Sequence, residues 1–325
     1  MKYTLSLCLL LLVLSCKTGT KPVSESIAIS SDELKETVSF LASDDLQGRY
    51  AGSKGIDKAA TYIENQFKSY GVNPYFETYR DHFKIENLDA FNVVGFIEGT
   101  DDVLKKEVII LGAHYDHIGY GNGIKKHGGK LTEKDSLANG ANDNASGTAA
   151  IMAIAKHFAQ TKSNKRSIMF ALFSAEELGL LGSKHLAKRL KSENINLYTM
   201  VNFEMVGVPL INRDYQAFVS GYDLSNMADA MNEYAGSNLI GFSDVAKKYN
   251  LFKQSDNFAF YEEFKLPCQT ISSCDLSNYD YYHHSDDEID ELDYVFMASL
   301  INKTITAIEQ MSNTETKEIV MYESE

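Results

Sequence analysis

The chain has 325 residues and carries 45 acidic against 31 basic side chains, a formal net charge of −14. Because a nucleic-acid-binding protein needs a basic surface to replace the counterions of the phosphate backbone, this charge argues against such a partner. The hydrophobic fraction of 44% and the charged fraction of 23% are typical of a globular protein, and we expect one large domain.

The first residues are typical of an export signal. Lys2 precedes an apolar stretch, residues 5–14, that is too short to span a bilayer comfortably. The Val-Leu-Ser-Cys sequence ending at Cys16 resembles a bacterial lipobox. This resemblance implies a lipoprotein signal peptide over residues 1–15, a lipid on Cys16 and an exported protein anchored to a membrane, periplasmic or at the cell surface. An ordinary cleaved signal peptide is the alternative. The polar residues 16–30 predict a flexible tether.

The single large domain is expected over residues 31–315, followed by a C-terminal tail over 316–325. Apolar residues at helical spacing predict helices over 31–42 and 57–70, and two apolar runs predict strands over 92–97 and 108–111. The second strand leads into His114, with Asp116 two residues on. The Gly-, Lys- and Asp-rich residues 119–140 predict a long surface loop, in which His127 is expected to be solvated.

Asp143 follows within a run of small residues, Gly140 to Gly147, that precedes a predicted helix. Small residues allow close backbone approach, so Asp143 would be presented at the mouth of the helix. A capping Asp is the alternative. His157 on this helix and His185 on the next are expected to be structural.

Two further apolar runs end in carboxylates. Residues 168–173 predict a strand buried on both faces, and they stop just before Glu176 and Glu177. Reactive groups gather beyond the carboxyl ends of strands in open α/β sheets, although acids at a helix start are the alternative. Residues 200–203 lead into Glu204. Three buried-strand patterns therefore end in side chains that can bind zinc.

The remaining segments complete an α/β pattern. They predict helices over 224–234 and 290–308, strands over 216–219 and 267–272, and a tyrosine-rich loop over 278–287 that holds His283 and His284. Cys268 and Cys274 could pair outside the cytoplasm, and two buried thiols are the alternative. The expected fold is α/β, with a mixed, mostly parallel central sheet and helices on both faces.

Five motifs in this order resemble those of the cocatalytic zinc aminopeptidases, a family that also includes the transferrin receptor ectodomain and the glutaminyl cyclases. The motifs are Gly112 to His117, Gly140 to Gly147, Ser174 to Gly179, Asn202 to Gly207, and Tyr282-His283 followed by Asp287. An upstream match, from Leu41 to Arg49 and at Gly71-Val72, extends the resemblance over nearly the whole mature chain. The resemblance implies the zinc-aminopeptidase architecture.

The resemblance also implies a site for two zinc ions. Asp143 would bridge the ions, Glu177 and His283 would complete one of them, and His114 and Glu204 the other. The family usually has Asp at the position of Glu204, and the extra methylene makes a singly occupied site an alternative. His283 is chosen because Asp287 follows it at the family spacing, and His284 is the alternative.

Glu176 would be the general base in this scheme. Asp116 would fix the tautomer of His114, since a metal-bound histidine usually donates its other N–H to a carboxylate or carbonyl. Tyr279, Tyr281 and Tyr282 are candidates for the group that stabilises the oxyanion.

The expected function is zinc-dependent removal of N-terminal residues from peptides. A glutaminyl-cyclase type of acyl transfer on N-terminal Gln is the alternative, although those enzymes use tryptophans around the substrate and this chain has none. Carboxypeptidase activity, which also occurs in this family, is a further alternative. A metal-free binding ectodomain would lack ligands that are present here.

Overall fold

The computed structural model describes residues 28–121, 128–130, 132 and 135–323. The predicted signal peptide, Cys16, most of the predicted tether and His127 lie outside the described residues. The helices are α1 (Ser31–Leu41), α2 (Lys54–Tyr70), α3 (Gly147–Thr161), α4 (Leu181–Ser192), α5 (Met227–Ala235), α6 (Asp244–Lys248), α7 (Asn257–Phe264) and α8 (Tyr294–Asn313). The strands are β1 (Asn73–Pro74), β2 (Arg80–Ile85), β3 (Leu88–Ile97), β4 (Val108–His114), β5 (Gly119–Tyr120), β6 (Leu137–Ala138), β7 (Ser167–Phe173), β8 (Leu197–Glu204), β9 (Ala217–Val219), β10 (Ile240–Gly241) and β11 (Cys268–Ser272).

Nine of these strands form one sheet in the order β1-β3-β7-β4-β8-β11-β9-β10, with β2 paired to β3. The central strands β7, β4, β8 and β11 run parallel to one another. At the two sides of this centre, β3 pairs with β7 and β9 pairs with β11 in the antiparallel sense. The sheet is therefore mixed with a parallel centre, and the carboxyl ends of its four central strands lie along one edge.

Hydrophobic cores cover both faces of the sheet, because successive side chains of a strand point to opposite sides. In β4, Ile109 and Leu111 pack with the core that includes α1, α2, α3, α5 and α8. Ile110, between them, packs on the other face with Met169 of β7 and with residues of α4 and α7. The predicted α/β fold with helices on both faces is confirmed.

The structure contains an edge strand that the sequence pattern did not predict. β2 begins with three polar residues, Arg80 to His82, and only Asp81 and Phe83 are buried in it. Such a strand lacks the continuous apolar run that identifies a central strand. The neighbouring strand β3 also begins at Leu88, four residues before the predicted start at residue 92.

The segment over residues 119–140 is not a surface loop along its whole length. Its two ends pair with each other, Gly119 with Ala138 and Tyr120 with Leu137. Leu137 and Ala138 are buried, and two apolar residues are too short a run to stand out in a polar segment.

The C-terminal residues predicted as a tail pack against the domain as far as they are described. The backbone N–H of Ile319, which is buried, donates to Tyr198 Oη at 2.9 Å. The N–H of Tyr322 donates to the carbonyl of Leu224 at 2.9 Å. Within the described part of the chain, no helix combines the length and the apolar character needed to cross a membrane.

Candidate active site

The strands bring the predicted site residues to one edge of the sheet. β4 ends at His114 and β8 ends at Glu204, while Glu176 and Glu177 follow the last residue of β7. His114 is in register with Phe173, the end of β7, and β4, β7 and β8 are parallel. Three reactive segments that are far apart in sequence are therefore adjacent in space.

His114 lies between two carboxylates. Its Nε2 is 3.3 Å from Asp143 Oδ1 and 3.2 Å from Glu204 Oε1. The imidazole is buried, and burial alone would lower its pKa, but the surrounding carboxylates, Glu204 and Glu176 foremost, hold the pKa well above its ordinary value. The site therefore concentrates negative charge around one histidine.

His283 has the same relation to a second pair of carboxylates. Its Nε2 is 3.1 Å from Glu177 Oε2 and 3.5 Å from Asp143 Oδ2. Asp143 consequently presents one oxygen to His114 and the other to His283. The neighbouring His284 is engaged elsewhere, since its Nδ1 accepts the backbone N–H of Asp286 at 3.0 Å.

The small residues around Asp143 are needed for this placement. At Gly140, where φ is +60°, an added Cβ would lie 2.2 Å from the Asp143 carbonyl oxygen and 2.5 Å from His117 Cδ2. At Gly147 an added Cβ would lie 2.5 Å from the carbonyl oxygen of Phe203 in β8. Larger residues would therefore push Asp143 away from the strand ends.

Glu176 and Glu177 are adjacent in sequence but have opposite electrostatic environments. Burial raises the pKa of Glu176 well above its ordinary value, and the charge of Glu177 adds to this effect. Burial would do the same to Glu177, but hydrogen bonds with His117 and His283 hold its pKa well below its ordinary value. A neighbouring pair whose pKa values are driven apart is typical of an acid–base site.

Asp116 faces His114 with its main-chain carbonyl rather than with its carboxylate. His114 Nδ1 is 3.2 Å from the main-chain carbonyl oxygen of Asp116, whereas the Asp116 carboxylate is 3.7 Å away. The carboxylate instead accepts the backbone N–H of Glu176 at 3.2 Å. The carbonyl is thus the nearer acceptor for the His114 N–H, and the carboxylate holds the segment that carries Glu176.

Asp287 anchors the loop that carries Asp143. Its two carboxylate oxygens accept the backbone N–H groups of Asn142 at 2.7 Å and Asp143 at 3.0 Å. Tyr279 also donates to this carboxylate, at 2.6 Å. Tyr279 is therefore occupied in supporting the loop.

Sequence reasoning missed three residues that support or adjoin the site. His117 Nδ1 lies 2.9 Å from Glu177 Oε1, and Ser255 Oγ donates to Glu204 Oε2 at 2.8 Å. Asp256 is completely buried, and burial raises its pKa to about 7. His117 stands in the Gly112 to His117 motif, so its position was available as a signal. Ser255 and Asp256 immediately precede α7, far along the chain, and no comparable pattern marks them.

A cavity of about 120 Å³ opens beside these residues. Its lining combines the site residues with apolar side chains, among them Met205, Phe218, Leu251 and Leu276. Of the three tyrosines considered as oxyanion donors, Tyr282 is the one that lines the cavity, and its ring stacks on His283 with centroids 4.0 Å apart. Tyr282 is 45% exposed, but partial desolvation and the nearby carboxylates raise its pKa, so its hydroxyl remains a donor.

The donor set fits zinc. Histidine nitrogens and carboxylate oxygens are zinc ligands, and two ligand atoms in tetrahedral geometry at about 2.0–2.1 Å from one ion lie about 3.3 Å apart. The four histidine-to-carboxylate distances around His114 and His283 run from 3.1 to 3.5 Å. Asp143 Oδ2 is buried and accepts no hydrogen bond from the described residues. A cation would satisfy this oxygen and offset the surrounding charge.

Comparison with known proteins places the chain among peptidases. The model of peptidase family M28 matches residues 92–307, a range that contains every predicted site residue. Leucine aminopeptidase 2 of Arthroderma otae is 33% identical over 147 residues, which are 45% of this chain and 26% of that protein. The chain therefore spans about a quarter of the length of this curated relative.

Solved structures share the fold. The LapA aminopeptidase of Legionella pneumophila superposes with a TM-score of 0.67 at 23% identity, over 88% of this chain and 71% of that one. The glutaminyl cyclase of Porphyromonas gingivalis has the same TM-score of 0.67 at 15% identity, over 87% of this chain and 99% of that one. The fold is thus common to peptidases and cyclases, whereas the family match spans the site itself. The chain belongs to peptidase family M28.

Proposed function

We propose that this protein is an aminopeptidase that uses two zinc ions to remove N-terminal residues from peptides. The observation that carries the proposal is the position of Asp143. Its two oxygens face different histidines, and each histidine has a second carboxylate partner of its own, Glu204 for His114 and Glu177 for His283. These five side chains would hold the two ions, with Asp143 shared.

Zinc in such a pair acidifies a water molecule and polarises the scissile carbonyl. Glu176 is the residue placed to accept the proton of the attacking water and to return it to the leaving amine. Its carboxylate lies within 4.8 Å of the ligand atoms of His114 and Glu204. Its raised pKa suits a group that must both take and release a proton near neutral pH. Tyr282 would donate to the carbonyl oxygen as negative charge develops there.

The cavity supports a preference for peptides with a free amine and an apolar first residue. Glu176, Glu177 and Glu204 line it, so the first residue of a bound peptide would lie beside the proposed ions, where its free α-amine would occupy a remaining metal position. A cavity of about 150 Å³ lined by apolar side chains holds benzene, so the volume of about 120 Å³ here suits a medium-sized apolar side chain. The name of the relative from Arthroderma otae, a leucine aminopeptidase, agrees with this preference.

The test combines metal analysis with a substrate panel. The purified protein should contain two zinc ions per chain and should cleave leucyl p-nitroanilide faster than the lysyl or glutamyl compound. N-acetyl-leucyl p-nitroanilide, which lacks the free amine, should resist cleavage. A protein that binds zinc tightly but cleaves none of these compounds would contradict the proposal.

The same panel separates the other activities considered. Release of ammonia from a peptide with N-terminal Gln would favour the glutaminyl-cyclase reaction, and release of the C-terminal residue of a blocked peptide would favour carboxypeptidase activity. A protein that binds no zinc would favour a binding ectodomain.

We also propose that the protein is exported and anchored to a membrane through a lipid on Cys16. The support is the sequence of residues 1–16, which resembles a lipoprotein signal. Cells grown with radiolabelled palmitate should label the wild-type protein and leave Cys16→Ser unlabelled. Equal labelling of both would contradict the anchor.

A further inference from the structure

Arg49 is a buried cation among the segments that carry the site. It is only 1% exposed. Its guanidinium donates four hydrogen bonds, and all four acceptors are main-chain carbonyl oxygens. Nε donates to Tyr115 at 2.8 Å, Nη1 to Leu41 at 2.5 Å and to Asn139 at 2.6 Å, and Nη2 to Gly140 at 2.9 Å.

Three of these acceptors belong to the two backbone segments that carry His114 and Asp143, and the fourth, Leu41, is the last residue of α1. Tyr115 immediately follows His114, and Gly140 precedes Asp143 by three residues. In the reverse direction, the N–H of His117 donates to the carbonyl oxygen of Arg49 at 3.4 Å. One rigid planar group therefore connects both segments, whose ligand atoms lie 3.3 Å apart.

The chain approaches these segments closely where Arg49 enters. Gly48 has φ of +66°, and an added Cβ there would lie 2.4 Å from the carbonyl oxygen of Ala138 and 2.6 Å from the Cα of Gly119. Gly48 thus lets the turn come within van der Waals distance of the paired strands β5 and β6. The neighbouring backbone is shaped to insert the Arg49 side chain between the two segments.

Apart from its hydrogen bonds, Arg49 affects cation binding through its charge. Burial lowers its pKa to about 10, while the charges of Asp287, Asp116, Asp143 and Glu177 act to raise it. The guanidinium is therefore protonated at neutral pH, and its charge repels a cation bound at the nearby site. Geometry and charge consequently predict opposite effects on zinc affinity when Arg49 is replaced.

We propose that Arg49 is a positioning residue that sets the distance between the His114 and Asp143 segments by bridging their carbonyl oxygens. This inference rests on the proposed zinc site. Lysine cannot replace Arg49 in this role, because an ammonium lacks the planar fork that reaches three separated segments at once.

The experiment measures zinc affinity by competition with a chromophoric chelator in Arg49→Lys and Arg49→Gln. Partners that orient metal ligands typically contribute roughly 10- to 100-fold to metal affinity, and we expect a loss of this size in both variants. Removal of a nearby positive charge alone would strengthen zinc binding in Arg49→Gln, so weaker binding there isolates the geometric role. We also expect kcat at saturating zinc to fall more than KM changes.

Arg166→Lys is the matched control. Arg166 is also completely buried and donates to the main-chain carbonyls of Met311 and Thr314. It also pairs with the Glu107 carboxylate, and it precedes β7 at the opposite end of the strands. We expect this variant to lower the unfolding temperature of the metal-free protein and to leave zinc affinity unchanged. Equal losses of zinc affinity in Arg166→Lys and Arg49→Lys would indicate a general effect of stability and would overturn the proposal.

Circular dichroism of the metal-free variants shows whether they are folded, which a comparison of their zinc affinities requires. Wild-type zinc affinity in a folded Arg49→Lys or Arg49→Gln would overturn the proposal, as would failure of both variants to fold at 5 °C, since Arg49 would then be needed by the fold as a whole. If the wild-type protein itself bound no zinc, the proposed function would fail before the role of Arg49 was tested.

Discussion

Ser255 orients the carboxylate of Glu204, the last residue of β8. Its hydroxyl donates to Glu204 Oε2 at 2.8 Å and accepts from Asn202 Nδ2 at 2.9 Å, while Glu204 Oε1 faces His114 at 3.2 Å. The extra methylene of Glu204, relative to the Asp usual in the family, is accommodated because both carboxylate oxygens have a partner. The carboxylate of Glu204 therefore faces His114 in the site, as its proposed role requires.

We expect Ser255→Ala to weaken the binding of one zinc ion by roughly 10- to 100-fold, as is typical when the partner of a ligand is removed. The second ion should bind as in the wild type, because Ser255 has no contact with Glu177 or His283 among its hydrogen bonds. Stepwise zinc titration measures both affinities. Ser272→Ala is the control, since Ser272 lines the same cavity but its hydroxyl donates to main-chain carbonyls. Equal effects of the two variants would argue against the role of Ser255.

Substitution of a single proposed ligand should change the number of zinc ions bound per chain, and the number should depend on the ligand replaced. His114→Ala should lose the ion shared with Glu204, and His283→Ala should lose the ion shared with Glu177, so each should retain about one zinc per chain. Asp143→Ala should lose both, because this carboxylate contacts both histidines. Elemental analysis after dialysis measures the content. Retention of two ions by Asp143→Ala would show that Asp143 does not bridge them.

Glu176→Gln should keep its zinc and lose most of its turnover. General base catalysis contributes roughly 10²- to 10⁴-fold, and the amide cannot accept a proton. We expect kcat with leucyl p-nitroanilide to fall by about this factor while the zinc content stays at the wild-type value. Glu177→Gln is the matched control on the adjacent residue, and it should lose zinc. Loss of metal in Glu176→Gln would make Glu176 a ligand, a possibility raised by its position within 4.8 Å of His114 and Glu204.

The site residues that the sequence predicted from strand patterns are those at or just after the ends of strands. His114, Glu204 and the Glu176–Glu177 pair each follow an apolar run, and parallel strands align their carboxyl ends along one edge. The pattern of buried strands therefore predicted the fold and the positions of three of the proposed ligands, His114, Glu177 and Glu204. His283 lies in a loop, and it was identified from its spacing to Asp287 and from the family resemblance.

The contacts that hold the site residues in place could not be predicted from the sequence, because they form between segments that are brought together only by the fold. Asp116 was expected to fix the tautomer of His114. The turn after β4 brings its main-chain carbonyl, rather than its carboxylate, to His114 Nδ1, and the carboxylate accepts the N–H of Glu176. Ser255 meets Glu204 across 51 residues of sequence. Arg49 meets Gly140 across 91 residues. No local pattern encodes such contacts.

Cys268 and Cys274 should behave as two inert thiols. Both are buried and unpaired, which favours the second of the two expectations from the sequence. Burial raises the pKa of Cys274 to about 12 and also raises that of Cys268, so neither forms the reactive thiolate at neutral pH. In a chain without residues 1–27, Ellman's reagent should detect two thiols after unfolding and almost none before. No thiols after unfolding without reductant would indicate a disulfide.

Asp81 should contribute stability that depends on pH. Its carboxylate is fully buried in β2 and is bonded by Arg189 at 2.6 Å and Asn92 at 3.0 Å, with His185 at 3.3 Å. Burial alone would raise its pKa, but these partners hold the pKa below 3.8. Because the folded protein binds this proton less readily than the unfolded chain, the contribution is fully present above about pH 4 and is lost as the pH falls through the folded-state pKa.

We therefore expect Asp81→Asn to lower the free energy of unfolding of the metal-free protein at pH 7 by about 2 kcal/mol, the usual size for hydrogen bonds to a charged group. The difference from wild type should shrink as the pH falls below 4, because the wild-type carboxylate is progressively protonated. Urea unfolding at a series of pH values measures it. Asp89→Asn is the control, since Asp89 pairs with Lys84 on the same hairpin but is exposed, and it should cause no measurable change. A difference for Asp81→Asn that stays constant down to pH 2 would show that the charge of Asp81 does not stabilise the fold.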